Sequence, residues 1–176
     1  GHLIPWAEDK EFVHVLSYDE KPGIQAIANT TEDLPPDENH KTISRDYEYK
    51  RLGTVSLLAG IDLQTGEAIP LVRDRHSSKE YIEFLQLDSK YPKEDKIRLV
   101  LDNLQVHTSQ ETRKYLAGVP GRFEFVFTPK HGSWLNLVEG FFSKLTRQSL
   151  KGIRVKTKSE LVERIYKYFE EINATP

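Results

Sequence analysis

The order of apolar and polar segments predicts an α/β fold, with a central mixed five-stranded sheet flanked by helices. Three observations predict it. Strand-like apolar runs come first and follow one another with turn signals between them. From residue 77 onward helical and strand patterns alternate, which is the arrangement of parallel crossover units. Beyond residue 133 only helical spacing remains, in two stretches able to cover a sheet.

Phe12 to Tyr18 reads as a buried strand, and Ile24 to Ala28 as a second, reached through the turn signal Lys21-Pro22-Gly23. Residues 30–50 are polar, carry Pro35-Pro36 and many charges, and read as a long irregular excursion. Gly53 to Asp62 is the third strand. Gln64-Thr65-Gly66-Glu67 makes a turn, after which Ala68 to Val72 can return as a further strand. Ser77 or Ser78 can cap a helix to about Leu87, with Tyr81, Phe84, Leu85 and Leu87 as its apolar positions. Ile97 to Leu101 is the next strand. Ser109 caps a helix through Ala117 that Gly118 stops, and Phe123 to Phe127 is a strand ended by Pro129. Ser133 can cap a long helix over residues 134–150, with Leu135, Val138, Phe142 and Leu145 at helical spacing. Lys158-Ser159 begins a last helix with Leu161, Ile165, Tyr168, Phe169 and Ile172 inside. There is no internal repeat.

The chain has 176 residues, 38% hydrophobic and 30% charged, which fits one globular domain with a real core. Its lack of cysteine excludes disulfides and thiolate zinc sites. No apolar run approaches ~18 residues, so no membrane helix is expected, and nothing at the start reads as a signal peptide. The chain opens Gly1-His2 and contains no methionine, so a domain excised with a tag remnant is expected. The net charge of −2 is unevenly spread: residues 1–50 hold eleven Asp and Glu against five Lys and Arg. Residues 140–159 hold Lys144, Arg147, Lys151, Arg154, Lys156 and Lys158 with no acid. Such a stretch attracts a phosphate backbone, although basic solvated faces are also common.

Three carboxylates stand at the edges of strongly apolar elements: Asp19, Asp102 and Glu139. A carboxylate there needs a partner that offsets its loss of water. Singly, an Asp after a strand is often a turn or capping residue. Three from separate elements can meet around divalent ions, and two such ions activate an oxygen nucleophile and stabilise a leaving oxygen in phosphodiester chemistry. Adjacent strand residues point to opposite faces, so only one of Asp19 and Glu20 can face such a site; the position at the strand end favours Asp19.

Three segments carry more than spacing: Tyr18-Asp19-Glu20-Lys21-Pro22-Gly23-Ile24-Gln25-Ala26; Leu99-Val100-Leu101-Asp102-Asn103, with His107 beyond; and Phe127-Thr128-Pro129, then Ser133-Trp134-Leu135-Asn136-Leu137-Val138-Glu139. In this order they resemble the catalytic domain of bacterial insertion-sequence transposases of the mariner superfamily, and Asp46 to Thr54 looks like that family's connecting segment. The resemblance implies an RNase H-like fold and a DDE triad of Asp19, Asp102 and Glu139. It implies Mg2+, with Mn2+ as a substitute, in a site for two ions. It also implies cleavage of DNA at element ends and joining of free 3′ ends to target DNA, usually at TA. Water is the nucleophile for cleavage and a 3′-hydroxyl for joining. The implied partners are element-end and target DNA, and a second copy in a full-length homodimer. The implied location is the bacterial cytoplasm, at the nucleoid and away from membranes. The helix-turn-helix region that such transposases carry ahead of this domain is not among these 176 residues, so recognition of element ends is expected to lie elsewhere.

His107, Lys130, His131, Lys144, Arg147, Lys151, Arg154 and Lys156 are the candidate DNA contacts, directed at phosphate and sensitive to salt. His107 has a second reading, holding Asp102 in place, and Trp134 reads as a packing residue. Two other functions fit the same residues: an RNase H-like nuclease without strand transfer, and a domesticated DNA-binding module without catalysis.

Overall fold

The structure, a computed structural model, describes residues 12–30, 48–102, 105–129 and 136–175. Five strands form one sheet: β1 (Val13–Asn29), β2 (Tyr49–Asp62), β3 (Ala68–Arg73), β4 (Lys96–Leu101) and β5 (Phe123–Phe127). Their order is β3-β2-β1-β4-β5. β1, β2 and β3 pair antiparallel, while β1, β4 and β5 pair parallel, so the sheet is mixed as expected. Among the described residues four α-helices flank it: α1 (Ser78–Leu85), α2 (Gln110–Ala117), α3 (Asn136–Leu145) and α4 (Lys158–Ala174).

One expectation about the strands fails and one left open is met, so the count of five stands. Lys21-Pro22-Gly23 does not turn the chain; residues 13–18 and 24–28 belong to one strand, β1, of 17 residues. The Pro-Gly pair is absorbed by a bulge, where the step from Lys21 to Ile24 on β1 faces only Leu57 to Val55 on β2. Proline cannot donate to a ladder and Gly23 sits at φ +71°, and a bulge accommodates both without reversing the strand. The optional strand after the turn, by contrast, is a full one, β3. β2 begins at Tyr49 rather than Gly53, so the polar excursion is shorter than expected, and residues 31–47 lie outside the described residues.

The bulge also inverts the alternation of β1. Before it, Leu16 and Tyr18 pack toward α1 and α2, with Tyr81, Phe84, Leu85, Leu99 and Leu101. After it, Ile24 and Ala26 pack toward α3 and α4, with Val138, Leu145, Leu161, Ile165 and Phe169. Burial of each such side chain contributes about 1.5–3 kcal/mol, so these two layers supply the fold's main driving force.

The helix ends follow local chemistry. Ser109 accepts the Thr112 N–H at 3.2 Å and starts α2, which ends at Gly118 as expected. Ser77 occupies the cap position of α1, but its hydroxyl binds the Glu80 carboxylate instead of the backbone; α1 stops at Leu85 and a 3-10 turn carries Leu87. Thr157 accepts the Glu160 N–H at 3.1 Å, and the Glu160 carboxylate accepts the Lys156 N–H at 2.6 Å, a reciprocal cap that starts α4. The helix expected over 134–150 is shorter: α3 ends at Leu145, and Thr146–Leu150 widens into a π turn closed by Lys151 N–H to Thr146 O at 2.8 Å. The Thr146 hydroxyl bonds back to Phe142 O at 2.9 Å, which loosens the helical ladder there. The expected Ser133 cap lies outside the described residues.

The outer edge of β3 is occupied by the chain's own last helix. The Tyr166 hydroxyl accepts the Val72 N–H at 2.8 Å. Asn173 accepts the Ala68 N–H at 2.9 Å and donates to Ala68 O at 2.8 Å. Among the described residues no helix is long and apolar enough to cross a membrane.

Candidate active site

The parallel pairing of β1 with β4 runs from Val13 opposite Lys96 to Ser17 opposite Val100 at a constant offset. Two residues farther along each strand stand Asp19 and Asp102. Neighbouring strands are about 4.8 Å apart, so this register brings the two residues to one level of the sheet, where β4 has ended; Asp19 itself lies inside β1, which continues to Asn29, and not at the strand end the sequence suggested. Asp19 pairs across β2 with Ala59, whose methyl belongs to the layer under α3 and α4, so Asp19 faces that layer too. Leu101 is fully buried toward α1, and alternation turns Asp102 to the opposite side, with Asp19. Glu139 approaches the same side from the first turn of α3, beside fully buried Val138. α3 packs against β1 and β2, so the three half-buried carboxylates project from three elements toward one layer.

The three do not close to ligand distance. Among the described residues no group of three His, Asp or Glu side chains is close enough to hold a metal ion. Asp19 Oδ1 accepts the Glu20 N–H at 2.7 Å. As a donor set, three carboxylates without thiolate or imidazole suit hard cations such as Mg2+ or Mn2+.

Behind the pair lies a cluster that the sequence did not reveal. Glu20 points to the opposite face, among Tyr18 and Tyr81. Burial pushes its carboxyl up to about 7; the nearby Tyr18 hydroxyl lowers it, and the charges of Asp19 and Asp102 raise it. The Tyr18 hydroxyl approaches Glu20 without reaching full hydrogen-bond geometry, since that hydroxyl and Glu20 Oε2 both lack a partner among the described residues. Burial and the Glu20 charge also raise the Tyr81 phenol well above its usual value. Tyr81 Oη lies 3.2 Å from His107 Nδ1. The His107 ring packs on Phe125 at 4.2 Å and Phe127 at 5.0 Å. Burial lowers the His107 pKa, which favours a neutral imidazole anchoring the turn after Asp102. The one available sequence signal was that Glu20 shares a strand face with Tyr18.

Of the candidate DNA contacts, Lys144, Arg147, Lys151 and Lys156 are exposed on α3, the π turn and the loop before α4. Arg154 is half-buried, with Nη1 donating to Ile153 O at 3.1 Å. Lys158, in the same basic stretch, is paired with Asp74 at 2.7 Å. Lys130 and His131 lie outside the described residues, as does Trp134.

A family model described as DDE superfamily endonuclease matches residues 15–162, from the start of β1 into α4. The chain belongs to the DDE superfamily endonucleases. The match encloses Asp19, Asp102 and Glu139 in the order β1, end of β4, α3. This DDE-family chain is 25% identical over 113 residues to the "Insertion element IS630 uncharacterized 39 kDa protein" of Shigella sonnei, over 64% of this chain and 33% of that protein. It therefore spans about a third of that relative's length. Among solved structures, it is similar to the HTLV-2 integrase catalytic core domain in complex with magnesium, in its dimeric form (TM-score 0.56, 15% identity, covering 93% of this chain and 88% of that one). It is also similar to a chain of the simian T-cell lymphotropic virus intasome in complex with PP2A regulatory subunit B56 gamma (TM-score 0.52, 15% identity, covering 94% and 44%). At that identity the likeness establishes the fold, an RNase H-like integrase-core architecture.

Proposed function

We propose that this chain is the catalytic domain of an insertion-sequence DNA transposase of the mariner superfamily. It would cut DNA at element ends and join the 3′ ends to target DNA. The observation that supports this most is the β1–β4 register, which sets Asp19 beside Asp102 on the side that α3 and Glu139 cover, within a DDE-family match. Asp19, Asp102 and Glu139 would hold Mg2+ or Mn2+, and a two-ion site would supply an activated oxygen nucleophile and stabilise the leaving oxygen. Like-charged carboxylates repel one another, and a divalent cation would offset that repulsion and draw the three together. The buried Tyr18–Glu20–Tyr81 cluster supports the strand ends from behind, and His107 fixes the turn that follows Asp102. The full-length protein would act as a homodimer on nucleoid DNA in the bacterial cytoplasm.

The test uses Asp102→Asn, with thermal unfolding to verify that the fold is kept. Calorimetry should show Mn2+ binding to the native chain and its loss in the variant. Nicking of supercoiled plasmid in Mn2+ should fall at least a hundredfold. A variant that nicks as well as the native chain refutes the site assignment. Cleavage with no oligonucleotide 3′ end joined to the plasmid supports a nuclease without strand transfer.

A further inference from the structure

Beside the carboxylates a groove of about 260 Å³ runs between two irregular walls. Lys21, Pro22, Gly23, Ile24 and Gln25 of the β1 bulge form one; Thr146, Leu150, Gly152, Ile153 and Arg154, from the π turn and the loop after it, form the other. A water's share of liquid volume is about 30 Å³, so the space exceeds a single hydration site several-fold. Bulges and π turns both recur beside functional sites, and here one of each opens the same groove. Each wall carries a glycine at φ +71° with nothing within 4 Å of where a Cβ would stand, so a ligand can approach backbone on both sides.

Among the described residues the charge of the groove is one-signed: no Asp or Glu lines it, while Lys21 and Arg154 do. Among the described residues neither cation is in an ion pair, whereas Lys158 is held by Asp74 and Arg164 by Glu160. The Arg154 bond to Ile153 O uses one guanidinium nitrogen and steadies the side chain.

The groove is also aligned with the carboxylates. Lys21 follows Asp19 by two residues on the same strand face, about 7 Å along β1. Thr146 follows Glu139 by seven residues, two turns along the same helix face, or about 10 Å. With a rise of about 3.4 Å per nucleotide along one strand, those distances correspond to two or three nucleotides.

We propose that this groove holds the phosphodiester backbone of the DNA strand that passes the carboxylates, two or three nucleotides from the reacting phosphate, with Lys21 and Arg154 on its phosphates. The inference rests on the reading of the chain as a DNA-processing enzyme and adds the path of the strand. Fluorescence anisotropy of a labelled DNA duplex, titrated at several salt concentrations, tests it on the native chain, Lys21→Gln/Arg154→Gln and Arg154→Lys. Each lost phosphate contact removes about 0.9 from the slope of log K against log salt. The double variant should therefore lose about 1.8 in slope, equivalent to roughly 60-fold in affinity at 0.1 M salt if the lines meet at 1 M. Arg154→Lys keeps the charge and should keep the slope, while Lys79→Gln on α1 should behave as native. An unchanged slope in the double variant, with the native chain binding DNA and nicking plasmid, overturns the groove alone. A native chain that neither binds DNA nor nicks it overturns the groove together with the function it rests on.

Discussion

Replacing Glu20 by Gln should stabilise the protein at alkaline pH and leave it little changed in acid. The Glu20 carboxyl titrates at about 7 in the folded chain against an ordinary 4.5, with burial as the main cause and the charges of Asp19 and Asp102 adding to it. The folded state therefore keeps a proton that the unfolded state gives up earlier. Below pH 4.5 both states are protonated and Glu20 costs nothing. As pH rises from 4.5 to 7 the unfolded state is increasingly favoured, and above 7 the whole penalty is in place. A shift of about 2.5 units at 1.36 kcal/mol each gives ~3 kcal/mol. In a domain of this size that is about 6–12 °C of melting temperature. Gln keeps the shape and removes the charge. Urea and thermal unfolding of both proteins in EDTA at pH 4 and pH 8.5 measure the effect: the variant should lead by about 3 kcal/mol at the higher pH, and the lead should nearly vanish at the lower. Divalent metal should shrink the lead, because a cation offsets the Asp19 and Asp102 charges, though only partly since burial dominates. An advantage equal at both pH values would refute the reasoning.

Leu145 is fully buried where α3 meets the core beside the π turn, so Leu145→Ala should cost about 2–5 kcal/mol in urea unfolding. The Tyr91 hydroxyl donates to buried Asp62 at 2.8 Å, so Tyr91→Phe should leave that carboxylate oxygen short of a donor and lower stability by about 1–3 kcal/mol at pH 7.

Asp19 and Asp102 were conspicuous in the sequence because each follows a mainly apolar run, and the sheet gives the reason: β1 and β4 are neighbours at its centre, where Leu16, Tyr18, Ile97, Leu99 and Leu101 are buried. The type and order of most elements followed from periodicity for the same reason. Pro22-Gly23 was misread because a turn and a bulge need the same two residues; only the partner strand distinguishes them, and β2, with 14 residues, is long enough to demand one continuous neighbour. The end of α3 was misread because a π turn keeps nearly the same apolar spacing as the helix before it. Glu20 was illegible for another reason. Its raised pKa comes from burial and from the charges of Asp19 and of Asp102, eighty-two positions away, so no local pattern carries it.

The seal on the β3 edge has a consequence for how the chain is made. Ala68 is bonded by Asn173, 105 residues later in the sequence. At a synthesis rate of about 5–20 residues per second, the strand emerges roughly 5–20 s before its cover exists. During that interval an apolar strand edge with unmet N–H and C=O groups is presented to its surroundings, softened only by Pro70, which has no N–H to offer. The last helix is thus a timing element as well as a packing element. Until it has been translated and docked, the nascent sheet remains open to any other strand that reaches it.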